Sequence, residues 1–198
     1  MKLKNINNQA NNNPLSKKEL KKQFVHYTKK LGLKHTFNFD EAYEIGQELK
    51  KRNSFRNKIV EFEKQLQKNP AALNKNDLQK LNPVKHSFAD GCYIREIFNP
   101  ANELLITKIH KKNHPFFLTQ GEMSILTELG IEHIKAPYNG ITKAGTKRII
   151  YTHTDCVFIT VHATQQTDIN KIEEEVIAKD FNDPSISLKD INKLKLKI

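Results

Sequence analysis

From Gly91 onward the chain is a succession of short apolar runs parted by turn residues: GCYIREIFNP, ELLITKIH, PFFLTQGEMSILTELGIEHIKAP, TKRIIYTH and CVFITVHAT. Runs of this length, rich in Ile, Val, Thr and aromatics and recurring at roughly 8–12-residue spacing, form strands of an antiparallel sandwich or barrel. Five of the seven glycines lie between residues 91 and 145, where tight turns need a residue that accepts positive φ. This pattern constrains the chain more than any other.

The preceding residues have a different texture. SKKELKKQFVHYTKKLG predicts a basic helix, with Ser16 and Glu19 forming a capping box and Gly32 ending it. NFDEAYEIGQELKKRNSFRNKIVEFEKQLQKN predicts a second helix with acids crowding its start. Its apolar stripe is Ala42, Ile45, Leu49, Phe55, Ile59, Phe62 and Leu66, with a division expected at Asn53–Ser54 and a stop at Pro70. NKNDLQKLN bridges to Pro83, and TDINKIEEEVIAKD reads as a capped helix beyond the strands. The expected class is therefore α+β. Residues 1–15 form a disordered, basic, Asn-rich tail, 16–82 a helical N-terminal region, 83–165 an antiparallel β-barrel or jelly roll, and 166–198 a C-terminal helical segment.

The formal net charge is +11, and the excess sits at one end. Residues 1–85 carry 19 Lys+Arg against 8 Asp+Glu, whereas residues 86–198 carry 14 of each sign. A basic helical extension can neutralise an acidic partner surface or phosphates. No RNA- or DNA-binding motif accompanies it, so nucleic acid is not the expected partner, although charge alone leaves it open. Cys92 and Cys156 are lone thiols without CxxC spacing, which reads as two reduced side chains. No secretory signal or membrane span is expected, and the expected location is the cytoplasm.

KIHKKNH places His110 and His114 four residues apart at the end of a strand. A straight strand would separate them by about 13 Å, so sharing a metal requires the chain to bend through Lys111–Asn113. With Gly121 downstream, this stretch resembles the first motif of the cupin superfamily, G-x5-H-x-H-x3-4-E-x6-G. His114 then stands in the place of the Glu, His110 in that of the second His, and Lys108 in that of the first. TKAGTKRIIYTH resembles the second motif, P-x-G-x2-H-x3-N. There Lys143 replaces the Pro, Gly145 keeps the turn, Arg148 replaces the His and Thr152 the Asn. The resemblance covers about residues 84–165 and implies a cupin-like barrel. The wider stretch looks closer still to cupin-like proteins of tailed bacteriophages, a group that implies a source and a fold rather than a reaction.

Only His110 keeps a liganding residue type in register. His114 is a chemically sound substitute, and His162 shares a strand direction with Cys156, Phe158 and Thr160. If that face looks inward, His110, His114 and His162 make a three-nitrogen site for a divalent transition metal (Zn, Fe, Mn or Ni). Without a metal, the pocket would be cationic, with Lys108 and Arg148 suited to a carboxylate, phosphate or sugar acid. Tyr93 and Arg95 share one strand face, and Arg95 either enters the pocket or pairs with a barrel acid. His153 beside Asp155 lies in a turn and has no nucleophile motif to serve. The expectation is a phage-type cupin-fold binding or assembly protein, virion-associated or in the host cytoplasm and more binder than enzyme, with a degenerate pocket. It would form a homo-oligomer and dock other phage structural proteins through the basic helical region. The alternative is a metal-dependent cupin enzyme with a rearranged histidine site.

Overall fold

The computed structural model describes residues 14–32, 38–73 and 75–186. Residues 1–13 of the tail expected at 1–15, and the last segment, 187–198, lie outside the described residues. Two compact units divide the chain, one from residues 1–48 with the last three residues, the other from 49–195. The boundary falls inside a helix rather than at residue 82.

In the first unit, helix α1 (Lys17–Lys30) begins with the capping box predicted from Ser16 and Glu19. Gly32, at φ 64°, follows its C-cap. Phe24 packs on Phe39 at 5.6 Å between ring centres, and Lys17 pairs with Glu44 at 2.7 Å. Helix α2 (Phe39–Gln67) runs without a break through Asn53–Ser54. Neither residue is a Gly or Pro that would force a kink, so the expected division does not occur.

In the second unit, the later turns of α2 carry Ile59, 2% exposed, and the buried Arg56. Arg52 and Arg56 both pair with Glu128, and Glu63 pairs with the buried Lys147 at 2.8 Å. The turns from residue 49 onward are anchored on the strands that follow. Helix α3 (Lys75–Leu81) then leads to the sheets.

One sheet has the order β1-β2-β10-β5-β8, from Val84–Ala89, Cys92–Asn99, Cys156–Ala163, His114–Gln120 and Tyr138–Thr142. The other has the order β3-β9-β6-β7, from Leu104–Ile106, Ile149–Thr152, Glu122–Thr127 and Gly130–Lys135. Every pairing is antiparallel. Non-consecutive neighbours such as β2–β10 and β9–β6 give the jelly-roll connectivity. The core between the sheets joins Phe116, Leu118, Cys156 and Phe158 from the first to Met123, Ile125, Ile134 and Ile150 from the second. Strictly alternating burial along β10 shows which of its side chains face inward. Helix α4 (Ile169–Val176), capped by Asp168, leads into β11 (Ile177–Ala178), which pairs with β4 (Ile109–His110). The expected class, a cupin-like α+β jelly roll with helices before and a helix after it, is the fold observed.

Gly121 turns the chain from β5 of one sheet into β6 of the other at φ 88°, and a Cβ there would lie 2.2 Å from the Asp155 carbonyl oxygen. Gly121→Ala combines left-handed backbone with a backbone clash. It is expected to lower unfolding free energy by about 2–4 kcal/mol, read as a lower urea midpoint.

Candidate metal centre

The inner face of the five-stranded sheet changes character along its strands. In register, Ile97 pairs with Phe158 and Phe158 with Leu118, an aliphatic and aromatic row. The next row is Arg95, Thr160, Phe116 and Gly140. In the row after that, Tyr93 pairs with His162 and His114 with Thr142. Polar side chains therefore gather at one end of the sandwich because the strand period carries them there.

His110 reaches this end by the bend predicted at Lys111–Asn113. Asn113 fixes that bend by accepting a hydrogen bond from the Ala144 backbone at 2.8 Å. The His110 carbonyl accepts from Gly145 N–H at 2.8 Å, and Ile177 pairs with His110 across β11. Arg56 in turn donates to the Gly145 carbonyl at 3.4 Å, so the second half of α2 braces the same turn.

The three rings meet. Ring centres are 4.1 Å apart for His110 and His114, 4.4 Å for His114 and His162, and 5.1 Å for His110 and His162. One ligand nitrogen from each lies within 4.8 Å of the others. His114 and His162 are 4% and 5% exposed. His110 Nδ1 is buried and has no hydrogen-bond partner among the described residues. Burial, followed by its neighbours His114, His162, Arg148 and Arg95, pushes His110 down to about 2. Burial with Arg148 nearby lowers His114 to about 4, and burial with His114 and Arg95 lowers His162 to about 4. All three are neutral at pH 7, which is the form that binds metals.

An orphaned, desolvated imidazole nitrogen among two further neutral rings fits a divalent transition ion. Tetrahedral coordination at 2.0–2.1 Å sets ligand nitrogens roughly 3.3 Å apart, so small ring rotations close the site. No carboxylate joins the three rings among the described residues.

The other candidates fall in different places. Arg148, 6% exposed, donates to Thr142 Oγ1 and lies over the Phe116 ring at 4.7 Å. Burial lowers it to about 10, so it stays cationic. Tyr93 stacks on His162 at 6.0 Å, and its hydroxyl is 2.6 Å from His86 Nδ1. Arg95 faces the same end, with its field on His110 and His162, and forms no ion pair with a barrel acid among the described residues. Lys108 does not enter the site: it is exposed and pairs with Glu173 of α4, because β3 ends before it and turns it outward. Its expected role in the pocket is corrected accordingly. His153 binds Ser124 at 2.7 Å away from the cluster, and Asp155 accepts from Ala101 N–H. Residue types alone did not reveal Thr142 and Phe116 as neighbours of the site, whereas Thr160 was already placed on the His162 face. The two-residue step from His114 to Phe116 was the available signal.

Polar, metal-competent side chains thus gather at one end between the two antiparallel sheets of the jelly roll. No protein-family model matches the chain, and no curated protein matches it. Among solved structures it is similar to KdgF from Halomonas sp., at 9% identity and TM-score 0.41, covering 47% of this chain and 89% of that one. Ectoine synthase from P. lautus gives 12% and 0.40, covering 48% and 72%. The cupin domain of Cnp3 from Schizosaccharomyces pombe gives 14% and 0.37, covering 46% and 68%. These similarities are local and distant, and the fold is defined by the strand order and register above.

The depressed histidines fix a pH dependence. The unfolded chain takes up protons below pH 6.5 while the folded site stays neutral to about pH 4, so stability is complete above pH 6.5 and falls as pH drops through that window. With chelator present, the urea-derived unfolding free energy is expected to fall between pH 6.5 and 4.5 with a slope of up to about 1.4 kcal/mol per pH unit for each histidine. His114→Gln should flatten the slope.

Proposed function

We propose that the protein is a metal-dependent cupin-like protein whose His110, His114 and His162 hold one divalent transition ion, with a coordination position left for a small anionic ligand. The single observation that carries this reading is the convergence of three neutral imidazoles around the unpartnered His110 Nδ1. Three uncharged ligands leave the ion's charge uncompensated, and Arg148 adds to it, so an anion completes the site. When bound, the metal would polarise that ligand or lower the pKa of a bound water. The chain's own residues do the rest. Phe116 and Arg148 wall the site, Tyr93 orders His162, and the Tyr93–His86 pair offers a proton path towards the exposed side of β1. Zinc, iron, manganese and nickel are the metals this reading covers; nitrogen ligands suit zinc, iron and nickel best.

A second reading is a non-enzymatic phage-type binding or assembly module, a homo-oligomer that docks phage structural proteins in the host cytoplasm or the virion. Its support is the placement of the whole +11 excess in the first 85 residues, together with the exposed Tyr27 of α1 and its exposed C-cap residue Leu31. On this reading the chain is found in purified virions by mass spectrometry, and removing residues 1–48 abolishes incorporation. Virions free of the chain would rule it out.

For the metal reading, the untagged protein is expected to bind about one zinc per chain by elemental analysis after dialysis. His110→Ala and His162→Ala should each weaken zinc binding at least ~10–100-fold by competition with a chelating dye. Zinc content unchanged in both variants would contradict it.

A further inference from the structure

We propose that the ligand of this centre is a small dianion with two oxyanion ends, a dicarboxylate in its simplest form, one end on the metal position and the other on the Arg95 guanidinium. The inference rests on the metal reading above and names the ligand that site takes.

Arg95 sits on the inner face one row from the histidines. It pairs with Thr160 across β10, and its strand neighbour Tyr93 pairs with His162. Its charge acts on His110, His162 and His86, so the guanidinium lies on their side of the sheet. It is half-buried. Among the described residues its side chain is in no ion pair and no hydrogen bond. The acid whose field reaches it is Glu173 of α4, which already pairs with Lys108. A guanidinium held part-way out of water with its donor fork unused is set for a planar oxyanion.

The other cation of the site is already engaged. Arg148 is committed to Thr142 and to the Phe116 face. The Gly140 backbone leaves the Phe116 ring its place, since a Cβ there would fall 2.8 Å from the ring. Arg148 therefore contributes a fixed field, while Arg95 has donors to offer. A loaded metal and two guanidiniums with no carboxylate ligand concentrate positive charge in a poorly solvated space. A monoanion on the metal offsets part of it. A ligand with a second charged end at Arg95 offsets more and satisfies the free fork.

The test is calorimetric titration of the full-length, zinc-loaded protein with malonate, succinate, acetate and inorganic phosphate. Malonate or succinate is expected to bind at least ~10-fold tighter than acetate. Arg95→Gln should bring them to within ~2–3-fold of acetate while zinc stoichiometry stays unchanged, and Arg95→Lys should keep part of the preference. Saturating malonate should tighten zinc binding by the same factor that zinc tightens malonate. Equal affinity for malonate, succinate and acetate, or a preference that survives Arg95→Gln, overturns the proposal. So does phosphate binding as tightly as malonate through Arg95, because phosphate cannot span two anchors. If the protein takes up no zinc, the metal reading falls separately. Malonate binding to the metal-free protein that is lost in Arg95→Gln would then keep Arg95 as the anion anchor, and its absence would overturn that as well.

Discussion

The register of β10 is the constraint on which the rest of the site depends. One strand pairs with β2 on one side and β5 on the other, and this sets Tyr93 beside His162, and Arg95, Thr160 and Phe116 in the row below. A one-residue slip of β10 would send His162, Thr160 and Phe158 to the outer surface. The same register places Ile97, Phe158 and Leu118 in the apolar layer, so burial of the core and assembly of the polar end are one event. The aliphatic rows supply the drive, and the histidines are carried into a desolvated position that they would not occupy on their own.

That desolvation shapes the chemistry. Rings so close cannot all be charged, and burial together with two guanidiniums keeps them neutral. Neutral rings favour metal binding, whereas the guanidiniums oppose it. At an effective dielectric of about 20, two unit charges 8 Å apart interact by about 2 kcal/mol, so a divalent ion meets a real opposing field unless an anion arrives with it. Metal and anion affinity are thus coupled in this site, and neither is best measured alone. The structure reinforces the His110 position from outside the sandwich. The Gly145 N–H, the Ile177 pairing and the Arg56 contact all converge on the strand end that carries it.

The helices and the sandwich were legible because their signals are local. Ser16 with Glu19, Gly32 and the period-two runs each declare an element within a few residues. His162 was legible because alternation along CVFITVHA ties it to Cys156 and Phe158, whose apolar character fixes the inward face. Lys108 was misplaced because a motif position gives a side chain's rank along the chain but not the strand end that turns it outward to Glu173. The brace from Arg56 to Gly145 was illegible, since 89 residues separate the partners and nothing in either segment marks the other. The unbroken course of α2 shows the same limit, because Asn53 and Ser54 weaken a helix only where packing does not hold it.

The most direct test of the three-histidine centre is anomalous diffraction from crystals of the zinc-loaded protein, collected on both sides of the zinc edge. One strong peak per chain is expected, with nitrogen ligands from His110, His114 and His162 at about 2.0–2.1 Å and a further position open to solvent or anion. A peak held by other residues, or well-ordered rings at this site with no peak between them, would contradict it.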